Sequence, residues 1–364
     1  MRKASDGAVR SAVREAPGCT TGEGRPRRGR VVSIDAVRGL AIVGMLLVND
    51  AGIPSAMPGG LRHAGWYGLT AADQVFPLFL FSVGASMPLS ERAQRPVVVL
   101  RRVVALFVIG SLLVSAKQRH LGVSTGVLQQ IAGGYLLAWL LLRLPRRWQL
   151  PAATVLLGGL WAAFTFVSAP GVRPGSWAPG SNLAEFVDRA VIGRFSEHGL
   201  LVMAASAVSV FGGVLAGRVL RRASDTPGAA TSRLLASGLA AVGLGLLLAT
   251  AVPLSKPLWT PSFVVLTSGI STLLAGAAHR LVDRGPCGRW AQPLIVLGSN
   301  ALVVYAGSVV VFAAALKPWQ PDLVRALQAV GGEAFAAVAY AVATVLAAWA
   351  VAAWLYRRRI FVRV

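Results

Sequence analysis

Apolar and polar positions alternate along this chain in long blocks rather than in short periods. Mostly apolar runs of about 20 residues, the length needed to cross ~30 Å of hydrocarbon, recur at 34–53, 69–89, 97–116, 124–142, 150–168, 199–217, 234–252, 260–279, 292–316 and 335–356. Short connections rich in Arg, Pro and Gly separate them. The pattern predicts an all-α polytopic membrane protein with about ten transmembrane helices.

The connections can be sorted by counting Lys and Arg in alternate loops. With the amino terminus on the cytoplasmic side, one set of segments holds 26 of the 36 basic residues and the opposite set holds 9, with Arg38 inside a span. An alternation kept to the end of the chain predicts an even number of spans with both termini cytoplasmic. The weakest link is 97–116 with its short return through Lys117 and His120, since losing one span there would invert everything after it.

Composition agrees. The chain is 55% hydrophobic and 14% charged, and its mean hydropathy is +0.63, outside the range of ordinary soluble domains. A formal charge of +22 would suggest nucleic acid in a soluble protein. Here the basic residues sit in short loops between apolar runs rather than on one stripe, so no nucleic-acid partner is expected. Residues 1–31 carry eight Arg/Lys and no apolar core, which predicts a disordered basic tail against anionic headgroups and not a signal peptide. Cys19 and Cys287 fall on the predicted cytoplasmic side, without the neighbours of a zinc site, so neither a disulfide nor a metal is expected.

Most spans are nearly free of charge, which makes Ser33–Arg92 stand out, because an ionisable group in hydrocarbon needs a partner or a cavity. Asp35 and Arg38 share a face of the first span near its cytoplasmic end. They read either as a mutually neutralising pair or as an arginine turned to the anionic part of a cytosolic ligand with the aspartate holding it. Asn49 and Asp50 close the same helix, and Asp73 lies about one turn inside the next, where a helix amino terminus favours a carboxylate. His63 stands in the loop between these two helices. An imidazole backed by a carboxylate is a general-base arrangement, whereas a solvated loop histidine is the plainer reading.

The connection 169–198 is the longest and is predicted on the outer side. Pro and Gly break its first half, and Asn182–Arg194 has the spacing of a short amphipathic helix, either resting on headgroups or covering a cavity. Glycines inside the spans (Gly39, Gly44, Gly133, Gly134, Gly212, Gly213, Gly217, Gly243 and Gly245) predict close helix packing. No phosphate-binding glycine motif follows a strand, so nucleotide folds lack support. No internal repeat is visible, which weakens a secondary-transporter reading.

Several stretches together carry a resemblance: SIDAVRGLAIVGMLLVND, RHAGWYGLTAADQVFPLFLFSVGAS, GVLQQIAGGY, PLSKPLWTPSFVVLTSG and WAQPLIVLGSNALVVYAGS. In this order, over 32–364, they resemble the membrane catalytic domain of heparan-alpha-glucosaminide N-acetyltransferase and its bacterial relatives, which are transmembrane acyltransferases. The resemblance implies a bacterial inner-membrane enzyme that takes acetyl from cytosolic acetyl-CoA to a sugar or glycan amine or hydroxyl across the membrane, with a homodimer as the form suggested by relatives. It implies His63 as catalytic residue, with Asp73 or Asp50 behind it, and Asp35, Arg38, Gln129, Ser299 and Asn300 on the donor. It also matches Lys256, Trp259 and Ser262 to a lysine–tryptophan–serine segment. Asn300 is the expected group for polarising the thioester carbonyl. Three departures stand out: Gln130 where relatives read Arg, Ser196-Glu197-His198-Gly199 where they read Asp-Pro-Glu-Gly, and Met203-Ala204-Ala205 where they carry a proline. The alternative function is a transporter or flippase for a glycan or anionic metabolite, which would leave a thioester intact.

Overall fold

A computed structural model describes residues 31–118, 125–223, 227–284, 289–309 and 318–362. The basic tail, Cys19, Cys287 and His120 lie outside them. Among the described residues the regular structure is all helical, with no strand beyond one isolated bridge between Ala169 and Val172. The α-helices are α1 Val32–Asn49, α2 Ala71–Ser86, α3 Pro96–Gln118, α4 Val127–Arg143, α5 Arg146–Phe166 and α6 Leu183–Ile192. They continue with α7 Leu200–Arg221, α8 Pro227–Ala249, α9 Pro261–Ala278, α10 Gln292–Ser299, α11 Ala301–Gly307 and α12 Gln320–Arg357.

Among the described residues, seven helices are long and apolar enough to cross a membrane: α1, α3, α5, α7, α8, α9 and α12, while α4 is apolar but shorter. Three of the predicted spans have a different shape for local reasons. The run 69–89 yields the 16-residue α2, which gives way at Pro88 to a 3-10 turn over Met87–Leu89. The run 292–316 is interrupted at Asn300 (φ −125°, ψ 36°), between α10 and α11. The last helix begins at Gln320 and kinks at Gly332, whose φ of +78° is open to glycine without steric penalty.

The helices α2, α7, α9 and α1 form the centre. Of the apolar window of α7, 61% is buried, against 17% for α3, so α3 presents its apolar side outward, as a lipid-facing helix does. Two backbone contacts set the centre. A Cβ on Gly213 of α7 would lie 1.9 Å from the carbonyl oxygen of Phe81, and one on Gly84 of α2 1.8 Å from that of Val210. Likewise a Cβ on Gly39 would lie 1.9 Å from the Leu294 carbonyl oxygen, so α10 packs on α1 through bare backbone. Gly243, in contrast, faces open space.

At the end of the bundle carrying the amino terminus of α1, arginines lie over aromatic rings: Arg102 over Tyr135 at 5.1 Å and Arg143 over Trp139 at 5.6 Å. This is hereafter the arginine-rich end. The loops at the opposite end hold His63, Lys256 and His198.

Candidate active site

Thr-Ala-Ala-Asp at the start of α2 explains how Asp73 comes to be fully buried. Its Oδ2 accepts from the backbone N–H of Thr70 at 3.1 Å, as a helix cap, and from that of Ala64 at 2.9 Å. The Thr70 hydroxyl, which also reaches the Arg62 carbonyl, lies 2.9 Å from the same oxygen. The other oxygen, Oδ1, holds His63 Nδ1 at 2.8 Å. Capping and imidazole holding, which the sequence poses as separate roles, are divided between the two oxygens of one carboxylate. His63 keeps 41% of its side chain exposed while Asp73 has none. With Nδ1–H donated to Asp73, Nε2 is left as the lone-pair acceptor on the open side.

A third group comes from the connection before α9. Lys256 Nζ is 3.0 Å from His63 Nδ1, 3.3 Å from Nε2 and 3.7 Å from Asp73 Oδ1. Nearness to both ring nitrogens sets the lysine against the ring. A tight turn presents it: Trp259 N–H donates to the Lys256 carbonyl at 3.1 Å, and Thr260 N–H to that of Ser255 at 3.2 Å. Trp259 adopts φ +51°, an unfavourable conformation for a bulky residue, sustained by its packing. Its ring is buried against Phe76 and Phe263, and its Nε1–H donates to Ser209 at 3.3 Å. Gly68 N–H donates to the Leu254 carbonyl at 2.8 Å, tying the histidine loop to the lysine loop. Burial lowers the Lys256 pKa, opposed by the charges of Asp73 and Glu197.

On the other side of Lys256 stands His198, edge-on to Phe76 with ring centroids 5.9 Å apart. Its Nδ1 lies 2.6 Å from Gln130 Oε1, and the fully buried Gln130 leaves Nε2 without a partner among the described residues. Burial, helped by the charge of Lys256, pushes the His198 pKa down to about 4, so the ring is neutral near pH 7. Asp188 of α6 fixes this corner by accepting from Leu200 N–H at 3.0 Å and Ser196 N–H at 3.3 Å. Its burial raises its pKa, against those two hydrogen bonds. The amphipathic helix of 169–198 is therefore docked on the protein through Leu183, Ala184 and Asp188. Trp66 Nε1–H donates to the Trp177 carbonyl at 2.7 Å, which joins the same segment to the histidine loop.

The remaining expected residues lie elsewhere. Asp50 ends α1, its charge acting on Tyr305 and Tyr340. Gln129 Nε2–H donates to Ser111 Oγ at 3.3 Å, between α4 and α3. At the arginine-rich end Arg38 pairs with Asp35 at 3.0 Å and also reaches the carbonyls of Gly298 and Ser82 and the hydroxyl of Ser86. Its guanidinium thereby ties α1, α2 and α10 together. Ser299 donates to the Ile295 carbonyl at 2.7 Å. Asn300 is fully buried and doubly bonded to the carboxy-terminal segment, to the Ile360 carbonyl at 3.0 Å and from Val362 N–H at 3.1 Å. The structure thus brings together His63 and Asp73, adds Lys256 and His198, and leaves Asn300 on a backbone-anchoring task. Lys256 was traceable through its lysine–tryptophan–serine motif; the His198–Gln130 contact had no signal in spacing.

Fold and site together define an all-helical polytopic membrane protein with a buried carboxylate holding an accessible imidazole at one end. Comparison with known proteins agrees with that class and narrows it. Residues 30–179 match the family model described as heparan-alpha-glucosaminide N-acetyltransferase, catalytic. The chain is 26% identical over 357 residues to heparan-alpha-glucosaminide N-acetyltransferase of Mus musculus, covering 78% of this chain and 54% of the relative. It is 27% identical over 352 residues to that of Homo sapiens, covering 76% and 52%. The chain thus resembles this acetyltransferase family and spans about half the length of the curated relatives it matches. The matched segment contains Asp35, Arg38, Asp50, His63, Asp73 and Gln129, while Lys256, Ser299 and Asn300 lie beyond it.

Proposed function

We propose that this protein transfers an acetyl group from cytosolic acetyl-CoA to the amine or hydroxyl of a sugar on the far side of a bacterial inner membrane. In this reading the bundle crosses about ten times, with both termini cytoplasmic. The carrying observation is the 2.8 Å bond from His63 Nδ1 to a fully buried Asp73, which leaves Nε2 as an accessible base.

His63 Nε2 takes the proton as the acceptor nitrogen or oxygen attacks the thioester carbonyl. The carbon–sulfur bond then breaks, the thiolate leaves, and the proton held by His63 converts it to free coenzyme A. Lys256 is well set to bear on the carbonyl oxygen as it becomes negative, the role the sequence suggested for Asn300. Asp73 holds the tautomer. From Asp73 to Ser86, where Arg38 reaches α2, is about 20 Å at ~1.5 Å per residue. The donor has to reach along that length, so basic groups and base act on opposite ends of one molecule. Positioning carries most of the catalysis, because a thioester is already an activated acyl group.

The test is release of thiol from acetyl-CoA by purified protein, with glucosamine as probe acceptor. His63→Ala should lower the rate by about 10²–10⁴-fold. Rates within a few-fold of wild type in a folded His63→Ala protein would end this reading. An intact thioester with the wild-type protein would favour transport instead.

A further inference from the structure

At the arginine-rich end, the carboxy terminus of α7 and the amino terminus of α5 gather Arg218, Arg221, Arg222 and Arg146, close enough for the last three to act electrostatically on Arg218. Among the described residues, none of the four forms an ion pair with a carboxylate. A positive side of a membrane protein needs no more than scattered arginines, and scattered arginines are solvated and mobile. Two of these are instead held in place by hydrogen bonds. Arg218 Nη2–H donates at 2.6 Å to Oε1 of Gln149, which is 3% exposed. Gln149 is itself fixed, its Nε2 donating to the carbonyls of Leu144 at 2.8 Å and Leu142 at 3.1 Å. Arg221 is held by the Pro88 carbonyl at 3.2 Å, just past the end of α2. Two of the like charges are thus held near each other, and the neighbouring helix α5 begins after Pro145 with no side-chain cap on its first N–H groups.

We propose that Arg218, Arg221, Arg222 and Arg146, with the start of α5, form a binding site for a phosphate-bearing anion. Fixed guanidinium forks match phosphate oxygens in pairs, and a helix start adds N–H donors of the same sign. A bound phosphate relieves the repulsion among the arginines. The site is argued from these residues alone and stands whether or not acyl transfer occurs. Its phosphate comes either from a soluble molecule or from an anionic lipid headgroup of the adjacent leaflet.

The experiment uses the full chain in phosphatidylcholine nanodiscs, with or without phosphatidylglycerol. Inorganic pyrophosphate binding is followed by calorimetry, and retained phosphatidylglycerol by native mass spectrometry. Arg218→Gln should weaken one of the two by about tenfold or more, the equivalent of one charge-assisted hydrogen bond. Loss of pyrophosphate binding identifies a soluble source, and loss of retained lipid identifies a headgroup. Arg218→Lys keeps the charge but not the fork and should weaken the same ligand. As a control, Arg325→Gln removes an exposed arginine paired with Asp322 at the far end of the chain and should change neither. The proposal fails if Arg218→Gln alters neither readout, or if Arg218→Lys matches the wild type, which would indicate a diffuse positive surface.

Discussion

Replacing Asp73 by asparagine separates the two jobs of its carboxylate. The amide can keep its oxygen where Oδ2 stands, still accepting from Ala64 N–H and Thr70 N–H, which lie at 2.9 and 3.1 Å. Its nitrogen then occupies the place of Oδ1, 2.8 Å from His63 Nδ1. That nitrogen is a donor, so Nδ1 must accept, the imidazole proton moves to Nε2, and the base becomes a donor toward the acceptor substrate. Three charge-assisted bonds, from Ala64 N–H, Thr70 N–H and His63, become neutral ones, a loss of about 1 kcal/mol each, or about 3 kcal/mol in all. The helix start therefore survives, with a modest fall in thermal midpoint, while acetyl transfer drops by about 10²–10⁴-fold. Thiol release from acetyl-CoA with glucosamine present measures the second quantity, and thermal unfolding in detergent measures the first. A folded Asp73→Asn protein within a few-fold of wild-type turnover would show that Asp73 is a cap and nothing more.

Acid should act through His198. Its pKa falls from 6.5 unfolded to about 4 folded, so the unfolded chain takes up the proton first and stability is lost as pH drops through this window. The full loss is about 3 kcal/mol; a His198→Gln protein should give a flatter melting profile between those limits, and an unchanged profile would refute the assignment. Gly213→Ala puts a methyl 1.9 Å from the Phe81 carbonyl oxygen and should destabilise by about 1–3 kcal/mol, visible as a lower melting temperature and lower yield of monodisperse protein. Asn300→Ala releases the Ile360 carbonyl and Val362 N–H and should make the carboxy-terminal segment sensitive to limited proteolysis, with transfer chemistry intact.

The parts of this protein legible in its sequence are those that repeat or lie close together. Apolar block length announces the helices, and His63 and Asp73 are near enough in the chain for the loop between them to bring them into contact. What stays hidden depends on which helices are neighbours. His198 and Gln130 meet across α4 and α7, and no periodicity relates positions so far apart. The contact itself, at 2.6 Å, is what links the two positions. The break at Asn300 escapes an apolar count, because the backbone turns there to let one amide side chain serve the carboxy-terminal segment. Arg38, read as a choice between neutralising Asp35 and facing a ligand, pairs with Asp35 and also ties three helices, a contact hidden because the carbonyls it reaches belong to elements distant in sequence.

The helix α2 carries the reactive end at Asp73 and receives Arg38 at Ser86, and its flank is pressed backbone to backbone on α7. Such a member works as a strut of constant length. Any change of shape in the protein therefore has to come from elements that lean on it and not from the strut itself.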